Sequence, residues 1–116
     1  MPELEAMAGR LRALLDPYRD GLEPSVLYGI DTLKAPGVRE HDYFAGVRVT
    51  PRQVSFYLKP LYDHPELLAD ISSALRKRVS GRTSLAFTAS DEGLLAELAE
   101  LVARSFEAYA RDVLGA

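Results

Sequence analysis

The stretch from Tyr43 to Phe87 constrains the fold more than any other part of the chain. Tyr43 to Thr50 alternates, with Tyr43, Ala45, Val47 and Val49 on one side and Phe44, Gly46 and Arg48 on the other. Gln53 to Lys59 alternates in the same way: Val54, Phe56 and Leu58 oppose Ser55, Tyr57 and Lys59. A period of two is the signature of a half-buried strand. The link Pro51-Arg52 is too short for anything but a turn, so the two runs predict an antiparallel hairpin. Asp63-His64-Pro65-Glu66 then opens a helix, with Asp63 and His64 as caps and proline in the first turn, where its missing N–H costs nothing. Leu67, Leu68, Ile71 and Leu75 supply its buried side, with a break at Ser72-Ser73. The helix ends in Arg76-Lys77-Arg78, cations at the dipole end that favours them. Gly81 turns the chain into a third strand, Thr83 to Phe87.

The flanks fit around this centre. Leu4, Met7, Ala8, Leu11, Leu14 and Leu15 recur at three- and four-residue steps, which predicts a first helix over 2–15, broken near Asp16 by Pro17. Tyr18 to Pro24 is a connection and Ser25 to Leu33 a single short extended segment. Pro36-Gly37 marks a loop over 34–41. Ser90-Asp91-Glu92 starts the last helix, a capping hydroxyl followed by two carboxylates, and the stripe Leu94, Leu95, Leu98, Leu101, Val102, Phe106 and Tyr109 carries it to about Asp112. The sum is an α+β fold: a mainly antiparallel sheet with N-terminal, middle and C-terminal helices packed on one face.

Composition narrows the function classes. A chain of 116 residues reads as one domain over 1–116. It has no cysteine, which removes disulfide frameworks, thiolate metal sites and thiol nucleophiles and favours a reducing, cytoplasmic setting. Residues 1–15 place Glu3 and Glu5 where a secretory leader is basic, and no window suits a membrane span. A net charge of −3 argues against bulk electrostatic attraction to nucleic acid. Partners are therefore expected among small molecules or proteins, and an exposed strand edge leaves a homodimer open.

Few residues carry chemistry. His41-Asp42 and Asp63-His64 are isolated in separate loops and lack metal-ligand spacing. The serines include no Gly-x-Ser-x-Gly elbow. No catalytic residue, cofactor or metal ligand is assigned, and a non-enzymatic role is favoured. Arg82, in the turn Gly81-Arg82-Thr83-Ser84, sits among oxyanion donors without the spacing of a full phosphate cradle. The tyrosines are more suggestive. Alternation puts Tyr57 and Lys59 on the non-core side of one strand and Arg48 on that of its neighbour. If helices leave this face bare, it presents aromatic bodies with polar tips beside cations. Tyr28 lies beside the same sheet. The candidate ligand-binding set is thus Tyr57, Lys59, Arg48, Tyr28 and Arg82.

An ordered set of short motifs adds a resemblance. Tyr28-Gly29-Ile30, Asp42-Tyr43-Phe44-Ala45, Val54-Ser55-Phe56-Tyr57-Leu58-Lys59-Pro60-Leu61-Tyr62, the run from Leu75 to Phe87 and Asp91-Glu92 together resemble the YdhG-like domain family of bacteria, over residues 26–109. Asp31 stands where that pattern has proline, and Arg82 where it often has lysine. The resemblance implies a small α+β domain of unknown function with a curved antiparallel sheet. In one branch it implies a frataxin-like iron chaperone, the alternative to binding a small anion or a protein partner through the open sheet face. Iron would call for a row of carboxylates. Here Glu3, Glu5, Asp16, Asp20 and Glu23 are interrupted by Arg10, Arg12 and Arg19, and no residue is assigned to a metal.

Overall fold

The computed structural model describes residues 2–115. Met1, which belongs to the N-terminal stretch read above as no leader, lies outside the described residues, as does Ala116. Helix α1 (Pro2–Ala13) leads through a 3-10 segment, Asp16–Gly21, to five strands: β1 (Glu23–Leu27), β2 (Ile30–Lys34), β3 (Tyr43–Val49), β4 (Val54–Leu58) and β5 (Ser84–Phe87). Short helices α2 (Pro60–Asp63) and α3 (Ser73–Arg76) lie between β4 and β5, and α4 (Glu92–Tyr109) follows. The sheet is an antiparallel meander in the order β1-β2-β3-β4-β5.

Register decides the two faces. Val47, Phe56 and Leu85 are cross-strand partners, as are Val49, Val54 and Phe87. They join α1 residues Leu4, Met7 and Leu11 and α4 residues Leu95, Leu98, Leu101 and Val102 in one hydrophobic core. Removing a Phe56 or Leu98 side chain from water is worth roughly 1.5–3 kcal/mol, so these contacts hold the helices on this face. The opposite face carries Arg48, Ser55 and Ala86 in one row and Thr32, Gly46, Tyr57 and Ser84 in the next. The predicted hairpin is present: β3 and β4 pair from Val49↔Val54 to Ala45↔Leu58, and Thr50 closes the turn with Gln53.

Four expectations are corrected. First, the single extended segment over 25–33 is itself a hairpin, because Tyr28 (φ 52°) and Gly29 (φ 78°) both adopt the left-handed conformation that a two-residue primed turn demands. A tyrosine there is unusual, so the turn had no standard signal. Second, Tyr43 and Phe44 exchange faces. The β2–β3 register slips by one residue between Leu33↔Ala45 and Lys34↔Tyr43, a bulge that leaves Phe44 as the extra residue. Phe44 turns into the core, where its ring lies 5.7 Å from Tyr18, 5.2 Å from Phe106 and 5.5 Å from Tyr109. Third, the middle helix is fragmented. It begins at Pro60, tightens to a 3-10 turn over Pro65–Leu68 and restarts at Ser73, where the Ser72 hydroxyl accepts from the Leu75 N–H. Neither Asp63 nor His64 caps it; His64 instead bonds the Asp112 carboxylate at 2.6 Å. Fourth, the cap of α4 is Asp91, not Ser90: its Oδ1 accepts from Leu94 N–H. Past Tyr109 that helix widens into π-type turns over Ala110–Leu114.

Candidate functional site

The non-core face is divided by the loop over residues 35–42. Its neck is closed by one hydroxyl: Tyr109 accepts from the Ala35 N–H at 3.0 Å and donates to the Asp42 carbonyl at 2.5 Å. Burial raises the Tyr109 phenol above its ordinary value, opposed by the Ala35 N–H. Inside the loop the Lys34 ammonium donates to Glu23 Oε1 at 2.7 Å and to the Val38 carbonyl at 2.8 Å. That hydrogen bond and charge hold the Glu23 carboxyl below its usual range. The loop's far end reaches the β1–β2 turn, where His41 Nε2 lies 3.0 Å from Tyr28 Oη. Thr32 and Lys34 are consequently buried although they project from the non-core face.

Two of the candidate residues meet at the end of the sheet, where β4 runs into α2. Lys59 follows the last core residue of β4, its N–H donating to the Phe44 carbonyl at 3.0 Å. Pro60 starts a helical turn there, and Tyr62 N–H donates back to the Lys59 carbonyl. That turn stacks residues three apart, so the Lys59 ammonium lies over the Tyr62 ring, 5.8 Å from its centroid. The Arg82 guanidinium lies 5.7 Å from the same centroid. Both distances are within cation–π range. The β4–β5 connection fixes Arg82: Leu58 N–H donates to the Thr83 carbonyl, Ser80 N–H to the Ser84 carbonyl, and the Ser80 and Ser84 hydroxyls lie 3.0 Å apart. A Cβ on Gly81 would come within 2.9 Å of Ser84 Oγ, so only glycine fits this turn without displacement. Among the described residues, neither Lys59 nor Arg82 is paired with a carboxylate. Tyr62, 53% exposed, and Arg82 also border a shallow depression with Pro65 and Leu68.

The remaining candidates are placed as follows. Tyr57 is half-buried on the same face, one strand from Ser84. The bulge brings Tyr43 to its side: burial raises the Tyr43 phenol, the Thr83 hydroxyl opposes this and Tyr57 adds to it. Arg48 is exposed on this face opposite Ser55, four residues along β4 from Lys59, or about 13 Å at strand rise. Tyr28, 77% exposed, belongs to the β1–β2 turn and its hydroxyl is taken by His41. Lys59 and Arg82 are therefore brought together, Tyr57 lies on the same face, and Arg48 and Tyr28 stand apart. The ring joining the two cations, Tyr62, was outside the candidate set. The three-residue step from Lys59 across Pro60 was the available signal.

A sheet of five antiparallel strands in meander order, with every α-helix on one side, defines a YdhG-like α+β fold. Among solved structures, a Bacillus subtilis protein of the DUF1801 family, YdhG, superimposes with a TM-score of 0.54 over 94% of this chain and 81% of that one, at 12% sequence identity. At that identity the likeness establishes the fold. No family model matches the sequence, and no curated protein does. Among the described residues, no helix is long and apolar enough to cross a membrane.

Proposed function

We propose that the domain binds a small anionic ligand at the Lys59–Tyr62–Arg82 cluster, where β4 runs into α2 beside the β4–β5 connection. One observation carries the reading: two cations that, among the described residues, have no carboxylate partner are both held against one half-exposed ring. Two like charges gathered on one ring, with no carboxylate among the described residues to neutralise them, favour an anion beside them. The ring supplies a flat apolar surface for the ligand body. The iron-chaperone alternative gains no support from its carboxylates. Asp16 is held by Arg19 at 2.7 Å, Glu23 by Lys34 at 2.7 Å, and no group of three His, Asp or Glu side chains among the described residues is placed to hold a metal ion.

The test is a titration with inorganic phosphate and citrate, followed by amide and side-chain chemical shifts. Saturable shifts at Tyr57, Lys59, Tyr62 and Arg82 are expected. They weaken with salt and drop by about tenfold in affinity in Lys59→Gln or Arg82→Gln, as loss of one charge-assisted contact dictates. Shifts that ignore both substitutions would remove the proposal.

A further inference from the structure

The depression that Tyr62 and Arg82 border has a volume of about 300 Å³, at the lower end of the size range of ligand sites. Its lining follows from the sequence. Pro60 and Pro65 start two separate helical turns, and Leu61, Tyr62, Pro65 and Leu68 line the depression from them. Gly81 and Arg82, from the β4–β5 connection, complete it. Gly81 brings no side chain to fill the space, and a Cβ there would meet Ser84 Oγ at 2.9 Å, so the turn keeps this side open. The Leu68 side is tied down: Arg76 Nη2 donates to the Leu68 carbonyl at 2.7 Å.

One charge stands in an apolar lining. Among the described residues, Arg82 is the single charged side chain that borders the depression, and no carboxylate pairs with it. An anionic group on Arg82 therefore has apolar surface directly beside it, and a ligand body laid there covers Tyr62, 53% exposed, and the half-buried Leu68. The guanidinium of Arg82 and the ring of Tyr62 are flat groups that stack on aromatic faces. We infer that the ligand is a small aryl anion, its charged group on Arg82 and its aromatic ring in the depression against Tyr62, Pro65 and Leu68. This assignment rests on the anion-binding reading of the Lys59–Tyr62–Arg82 cluster and adds to it the chemical class of the ligand body.

Four probes separate head from body: methyl phosphate, phenyl phosphate, cyclohexyl phosphate, whose ring is saturated and not flat, and benzyl alcohol, which has no charge. All are titrated at about pH 8, above the second phosphate pKa of about 6. Methyl shifts of Leu61 and Leu68 report the depression, and side-chain shifts of Lys59 and Arg82 report the anion. Phenyl phosphate is expected to move both sets. It should bind about tenfold tighter than methyl phosphate, about threefold tighter than cyclohexyl phosphate and at least about tenfold tighter than benzyl alcohol. Leu68→Gln should bring phenyl phosphate down toward methyl phosphate and leave methyl phosphate unchanged. An unaltered spectrum without ligand verifies that this variant folds, and the four probes on the parent chain decide the matter if it does not. Equal affinity for phenyl and methyl phosphate, with saturable shifts at Lys59 and Arg82, overturns the apolar body and leaves the anion site standing. Cyclohexyl phosphate as tight as phenyl phosphate overturns the aromatic ring, and benzyl alcohol as tight overturns the charged group on Arg82. Absence of saturable shifts with every phosphate ester overturns the anion site itself and this assignment with it.

Discussion

The two edges of the sheet are built differently. The outer side of β5 is sealed by the chain itself: Ala86 N–H donates to the Arg78 carbonyl at 2.7 Å, Ser80 N–H donates to the Ser84 carbonyl, and Val79 bridges Leu85. Among the described residues, no other strand pairs with the outer side of β1. A two-residue turn makes Leu27 and Ile30 a hydrogen-bonded pair, so Pro24 and Val26 direct their backbone groups away from β2. Proline at one of these positions removes a donor and blunts the edge against pairing with another chain. At the β5 edge a cation-rich segment is tied down, and the paired cluster on Tyr62 follows. At the β1 edge the helices fall short, and a groove over Val26, Leu33 and Val47 is left. Rigid backbone positions the cluster; incomplete coverage creates the groove.

The largest expected effect strikes the sealed side. Leu85 is fully buried in the centre of β5, so Leu85→Ala should cost about 2–5 kcal/mol in urea unfolding. A loss below about 1 kcal/mol would mean that this edge is no firmer than the other. Next comes the loop neck on the β1–β2 side. Tyr109→Phe leaves the Ala35 N–H and Asp42 carbonyl without their shared partner, with an expected loss of about 1–3 kcal/mol. Amides of residues 35–42 should exchange faster while those of β5 do not change. Equal loss of protection on both sides would show that the loop is not a separate cover.

A smaller effect is pH-dependent. The hydrogen bond to Asp112, with help from Glu66, raises the His64 imidazole above its ordinary value and fastens the chain end beside α2. A raised folded-state value means that the contribution is fully present below the unfolded imidazole value of about 6.5 and is lost as pH rises through the folded one. Asp112→Asn should therefore flatten the stability profile across that window, read as melting temperature against pH. A profile as steep as that of the parent would place the titration elsewhere. The smallest change is local and requires no substitution. The Val26 amide should exchange at the rate of an open edge, while Ala86, at the other edge, is protected almost to the level of global unfolding. Slow exchange at Val26 would reveal a partner on β1.

The hairpin of β3 and β4, the strand before α4 and the apolar stripes of α1 and α4 were legible because a repeat of two or of 3.6 residues is a local property of the chain. The placement of Tyr57 and Lys59 opposite Val54, Phe56 and Leu58 followed from the same repeat. The β1–β2 hairpin was not legible, because its turn uses tyrosine in a conformation normally supplied by asparagine or glycine. The bulge at Phe44 was not legible either. Alternation assigns that ring to the wet face, and only the aromatic cluster of Tyr18, Phe106 and Tyr109 makes its inversion favourable.

By itself the sequence determined the α+β class, the antiparallel hairpin at its centre and which face of β4 is apolar, since all three depend on the spacing of neighbours along the chain. Only the tertiary structure decided which cations lie together, how the loop over 35–42 closes on Tyr109 and where the helices stop short of the sheet. Those outcomes depend on residues far apart in sequence, such as Ala35 and Tyr109 or Lys59 and Arg82, whose approach is set by packing rather than by any local preference.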